Sequence, residues 1–149
     1  MKFLKNIILA MFFILSGSCS FAQKQINGTV ANAVREMAEN NIYETSCNVG
    51  FAGSVSSQYQ RFKLLLSSAT PAQLIALATN NKNPIVRLYA FQALKKRNIN
   101  TSNSLIEKFK NDHTEVNKLN GCLGEKTTVN LLTAEIFISP ASGELIKEQ

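Results

Sequence analysis

The chain has 149 residues, 16 Lys and Arg against 10 Asp and Glu, and 45% hydrophobic residues with no tryptophan. That apolar content excludes a disordered chain, which cannot bury enough surface to offset its ordering entropy, and the length suits one domain. The net charge of +6 is scattered, and no basic stripe interleaves with aromatics, so nucleic acid is not an expected partner.

The first 22 residues have the three parts of a secretion signal. Lys2 and Lys5 form a positive head, Ile7 to Leu15 an apolar run, and Ser20-Phe21-Ala22 a small-residue site with cleavage between Ala22 and Gln23. The apolar run is too short to span a bilayer comfortably. A lipoprotein reading would acylate Cys19 and make the membrane a partner, but Leu15 stands one position too far upstream of Cys19 for the usual pattern. Removing Lys2 and Lys5 leaves 14 cations against 10 anions, about +4, on a chain of 127 residues. The predicted domains are therefore a signal peptide over 1–22, a helical domain over 23–139 and a short tail over 140–149.

A helix is predicted from about Thr29, with Val30, Val34, Met37 and Ala38 on one face and Asn40-Asn41 at its end. Residues 43–56 are rich in Gly and Ser, carry Cys47 and the exposed-looking Phe51, and read as an ordered loop. A helix over Ser56 to Ser68 follows, with Tyr59, Phe62, Leu65 and Leu66 inward.

The stretch from Thr70 to Arg97 reads as two amphipathic helices. Thr70 caps the first and Pro71 occupies a position whose amide hydrogen would be unpaired anyway. Asn80-Asn81-Lys82-Asn83 is turn chemistry. Asn83 and Pro84 repeat the start signal, and Val86, Tyr89, Ala90, Ala93 and Leu94 form the buried stripe of the second helix. Lys95, Lys96 and Arg97 sit in its last turn, where cations complement the helix dipole.

The run Asn83-Pro84-Ile85-Val86-Arg87-Leu88-Tyr89-Ala90, with Ala93-Leu94 after it, resembles the second-helix signature of HEAT repeats. The match covers one repeat, shorter than the usual ~40–47 residues. The resemblance implies an all-α fold, a short stack of antiparallel helical hairpins that binds other macromolecules. It also implies an Arg87 that bonds within or between repeats.

Beyond the hairpin, Asn100-Thr101-Ser102 offers a cap for a short helix burying Leu105, Ile106 and Phe109. Residues 112–126 are polar, contain Gly121, Cys122 and Gly124, and read as a loop or frayed turn. Thr127 can cap a last helix with Val129, Leu132 and Ile136 aligned, although Val129-Asn130-Leu131 and Ile136-Phe137-Ile138 also have strand character. Pro140 ends it.

In an oxidising compartment Cys47 and Cys122 most economically form one disulfide. Two free thiols or a metal site are the alternatives, and zinc would need ligands beyond the only histidine, His113. No cofactor pattern is present. A Ser-His-Asp triad from Asp112, His113 and Ser102 or Ser104 would need convergence that adjacency does not supply, and Cys47 with His113 is the other nucleophile pair. Gly121-Cys122-Leu123-Gly124-Glu125-Lys126 departs from phosphate-loop spacing at both glycines. Glu36 and Glu39 face no second carboxylate pair that would suit a glycosidase.

The expected function is therefore non-enzymatic: an exported helical domain that binds an envelope or extracellular protein. Phe51, Arg87, Lys95, Lys96 and Arg97 are the candidate interaction residues. An inhibitor or immunity-type protein blocking one enzyme, and a weak hydrolase using His113, are the alternatives.

Overall fold

A computed structural model of the protein describes residues 20–138, with side chains from Thr29 onward. The predicted signal segment, Cys19 and the tail over 140–149 lie outside the described residues; the Ala22/Gln23 junction falls in a helix whose side chains are not described there. Among the described residues, no helix is long and apolar enough to cross a membrane.

The elements run α1 (Ser20–Asn40), β1 (Ile42–Glu44), β2 (Asn48–Val49), β3 (Ser54–Val55), α2 (Ser57–Ser68), α3 (Pro71–Asn80), α4 (Pro84–Lys96), α5 (Asn103–Lys110), β4 (Glu115–Asn120), β5 (Leu123–Thr128) and α6 (Val129–Ile138). The all-α expectation is overturned. The fold is mixed α and β, with a three-stranded sheet ordered β1-β4-β5 and a small β2–β3 hairpin. The two segments read as loops, 43–56 and 112–126, hold the strands. Helices pack as α1 on α2, α3 on α4 and α5 on α6. Paired helices alone do not identify a HEAT repeat, and the sheet has no place in such a stack.

The α3–α4 hairpin forms for the reasons its residues state. Thr70 and Gln73 make a reciprocal capping box, and Pro71 begins α3. The Asn83 side chain accepts the Ile85 and Val86 amide hydrogens at 2.9 and 3.2 Å, satisfying two of the orphan donors at the start of α4. Its amide nitrogen donates to Asn41 Oδ1 and to the Ala38 carbonyl, which ties the hairpin to the end of α1.

Helix α4 is the centre of the core. Ile85, Val86, Leu88, Tyr89, Ala90, Phe91, Ala93 and Leu94 are all buried, far more than one stripe, so neighbours surround the helix on several sides. Phe91 stacks on Phe109 of α5 at 4.4 Å and meets Phe137 of α6 edge-on at 5.6 Å. Tyr89 packs against Tyr43 of β1 and Phe62 of α2.

β1 is held from three sides. The Tyr89 hydroxyl accepts the Glu44 amide hydrogen at 2.9 Å and donates to the Glu44 carbonyl at 3.2 Å. Burial, reinforced by Tyr43, raises the Tyr89 phenol well above its ordinary range. Gln58, fully buried, donates to the carbonyls of Met37 and Ile42, closing the turn from α1 into β1. Ser56 accepts the Tyr59 amide hydrogen as cap of α2 and donates to the Glu44 carboxylate.

β1 pairs parallel with β4, in register Ile42 to Asn117 through Glu44 to Leu119, and β4 pairs antiparallel with β5 from Glu115–Thr128 to Asn120–Leu123. One face of the sheet, carrying Tyr43, Val116 and Lys118, packs toward α4 and α6. The two residues between β4 and β5, Gly121 and Cys122, form a tight turn. Gly121 has φ +58 and Cys122 does not share a positive φ, the arrangement of a type II′ hairpin, which needs glycine first.

Candidate functional site

The disulfide expectation is also overturned: Cys47 and Cys122 are both free, the first half-buried and the second exposed. Their loops are nonetheless joined, but by backbone and hydroxyl groups. The Gly50 amide donates to the Gly121 carbonyl at 3.0 Å, and the Gly121 amide donates to Ser46 Oγ at 2.8 Å. Ser46 Oγ in turn donates to the Asn48 carbonyl, and Thr45 hydrogen-bonds Leu119. The tips of the β2–β3 and β4–β5 hairpins therefore form one joined end of the molecule.

That end carries apolar side chains in water. Phe51 is 103% exposed, Leu123 73% and Val55 63%. Single exposed apolar residues are ordinary, but several gathered on joined tips are the usual mark of a contact surface. Phe51 sits between Gly50 and Gly53, both with positive φ and with open space on the side where a side chain would begin, so glycine makes the turn that lifts the phenylalanine out. The sequence points to Phe51 but not to Leu123 and Val55, which lie in segments whose strand character is hidden by Gly and charged residues.

The other candidate interaction residues stand on α4 and are engaged within the chain. Arg87 donates to the carbonyls of Asn81 and Lys82 and to Asp112 Oδ2 at 2.5 Å, with both side chains largely buried. Its Nε is buried without a partner. Lys95 lies over the Phe137 ring, Lys96 over the Phe62 ring, and Arg97 donates to the Ala69 carbonyl. Desolvation lowers the Lys96 pKa.

The catalytic groupings are not brought together. Asp112 uses one oxygen for Arg87 and the other for the amide and hydroxyl of Thr114. Burial alone would raise its pKa, but those hydrogen bonds outweigh it and hold the carboxyl below its usual value. Ser102 caps α5 and Ser104 bonds to it, while exposed His113 follows the other end of that eight-residue helix, roughly 12 Å away at 1.5 Å per residue. Cys47 lies beside the far turn of β4 from His113, about 20 Å along a six-residue strand. The phosphate-loop look-alike is the β4–β5 hairpin, with no helix N-terminus at its glycines. Glu36 is paired with Arg61, and Glu39 with Arg35.

A cleft of about 190 Å³ of mixed polar and apolar lining lies between the sheet and α6, bordered by Tyr43, Gln92, Lys118, Leu132, Glu135 and Ile136 among others. Lys118 bridges Glu125 and Glu135 there at 3.0 and 3.1 Å. Burial alone would lower its pKa, but the two carboxylates raise it. Burial, then Glu135, raises Tyr43. This cluster of one cation and two carboxylates fastens α6 to the sheet. Among the described residues no group of three or more His, Cys, Asp and Glu could hold a metal ion. No protein-family model matches the chain, and no curated protein matches its sequence.

Proposed function

We propose that this protein is an exported, non-catalytic domain that binds another protein through the joined tips of its two hairpins. The observation that carries the reading is Phe51, fully exposed, with Val55 and Leu123 also exposed on the same two hairpins, which backbone and hydroxyl hydrogen bonds join. An aromatic side chain brings a large contact area on only two rotatable bonds, which is why aromatics dominate interface energetics. Export rests on the residue pattern of the first 22 positions, and N-terminal sequencing of the released protein should begin at Gln23.

The interface test is the double substitution Phe51→Asp with Leu123→Asp, assayed by cross-linking to envelope extract. The partner band is expected to disappear while circular dichroism and the urea midpoint stay where they were. An undiminished band would overturn the reading.

A further inference from the structure

The geometry points to the outer edge of β5 as an acceptor for an extended segment of the partner protein, antiparallel to β5, with an acidic residue and, two positions later, an aromatic one. This rests on the binding reading above and gives the partner a chemistry.

Among the described residues no strand pairs with β5 on the side away from β4. The two-residue turn makes Asn120–Leu123 a hydrogen-bonded pair, so Leu123, Glu125 and Thr127 spend their backbone groups on β4. Gly124, Lys126 and Thr128 therefore point theirs outward. Natural edge strands are blunted by proline, bulges or charged side chains, lysine above all. β5 has no proline, and its register with β4 is unbroken over six residues. Glu125 pairs with Lys118 at 3.0 Å, while Lys126 reaches Glu115 only at 3.7 Å and stays largely in water, where it discourages a second copy and leaves a charge for an acidic partner to answer.

The face of the sheet away from α6 adds a side-chain site. A depression of about 290 Å³ lies along β4 and β5, lined by Ile42, Asn117, Leu119, Gly124 and Lys126 among others. Gly124 is why it exists: a Cβ there would meet only Leu119 Cδ1, at 3.9 Å. An aromatic side chain opposite Gly124 would fill the space over Leu119 and Ile42, as cross-strand aromatics do beside glycine. The neighbouring position on that face lies opposite Lys126, which is 73% exposed and only loosely paired with Glu115 at 3.7 Å, so an acidic residue suits it.

A second copy suits the edge less well. The two-fold antiparallel registers that overlap β5 most fully set Glu125 against Glu125 or Lys126 against Lys126, and opposed like charges are destabilising. A heterologous strand avoids both.

The probe is a capped peptide of sequence Thr-Thr-Glu-Lys-Phe-Val, added to the isotope-labelled full chain as its host processes it and followed by amide chemical shifts. Saturable shifts are expected at Gly124, Lys126 and Thr128. Two variants should each weaken binding at least about tenfold. Lys126→Pro removes an outward amide that β4 does not use, and Gly124→Leu fills the depression at ordinary contact distance. Retained circular dichroism and unchanged shifts in the helices certify that both are folded, and replacing the peptide's Phe by Ala should abolish the response. No shifts with the unaltered protein, equal binding by both variants, or concentration-dependent dimerisation through β5 would each overturn the inference. If envelope capture is lost with Phe51→Asp but kept with Lys126→Pro, the edge proposal fails while the tip interface stands.

Discussion

The α3–α4 hairpin and the β1-β4-β5 sheet are built by opposite means. The hairpin forms from contacts within 28 residues: two capped starts, two well-placed prolines and an apolar stripe. The sheet depends on β1 finding β4 across more than 70 residues, as in the pairing of Ile42 with Asn117. Local signals stabilise an element before the chain closes, whereas a long-range parallel pair must first overcome loop-closure entropy. The hairpin supplies the centre of the buried core; the sheet and the small β2–β3 hairpin supply the exposed tips and the open edge. Burial and the exposed apolar side chains are therefore carried by different parts of the molecule.

Four substitutions probe that division. Phe91→Ala should do most, costing about 3–5 kcal/mol by leaving a cavity between α4, α5 and α6. A urea-unfolding loss under ~1 kcal/mol would mean that α4 is not the centre of the core. Asp112→Ala should cost about 3 kcal/mol, because Arg87 would stay buried without its partner. It is the sharper test, since Arg87 ties α4 to the segment leading into β4. The sign of its pH dependence follows from the lowered Asp112 pKa. That stability is present above the ordinary carboxylate range and is lost as pH falls below about 4, through the folded value. A native-minus-variant stability difference that grows on acidification would contradict it.

Asn83→Ala should cost about 1 kcal/mol as a lost cap. The effect would be confined to the hairpin end and its tie to α1, readable by amide exchange at Ile85 and Val86. Phe51→Asp should change stability by less than ~0.5 kcal/mol, as exposed sites do. A larger loss would erase the separation between the core and the exposed tips.

The two corrections have physical causes. Residues 115–128 are mostly polar, with only Val116, Leu119 and Leu123 as large apolar residues and glycines at Gly121 and Gly124, a pattern that reads as loop because its strand order comes from cross-strand partners and not from intrinsic preference. Lys118 shows this: it is held in place by Glu125 and Glu135 from two other elements. β1 is three residues long and gives no periodicity to read; it becomes a strand because Tyr89, Gln58 and β4 satisfy its backbone. The two cysteine loops do meet, as a disulfide would have required, but Gly50, Gly121 and Ser46 make the connection.

What the residue order settled alone was whatever neighbours in sequence can enforce: the caps at Thr70, Asn83 and Ser102, the starts of α2 to α5 to within a residue or so, and the burial of Val86, Tyr89 and Leu94. Only the tertiary structure decided that α4 is enclosed on several sides, that two apparent loops become one sheet and a hairpin, and that their tips meet with Phe51 and Leu123 in water. Helix signals act over one or two turns and survive in a short window. A strand's signal lies in its partner, and a chain read in order does not show which distant segment that partner will be.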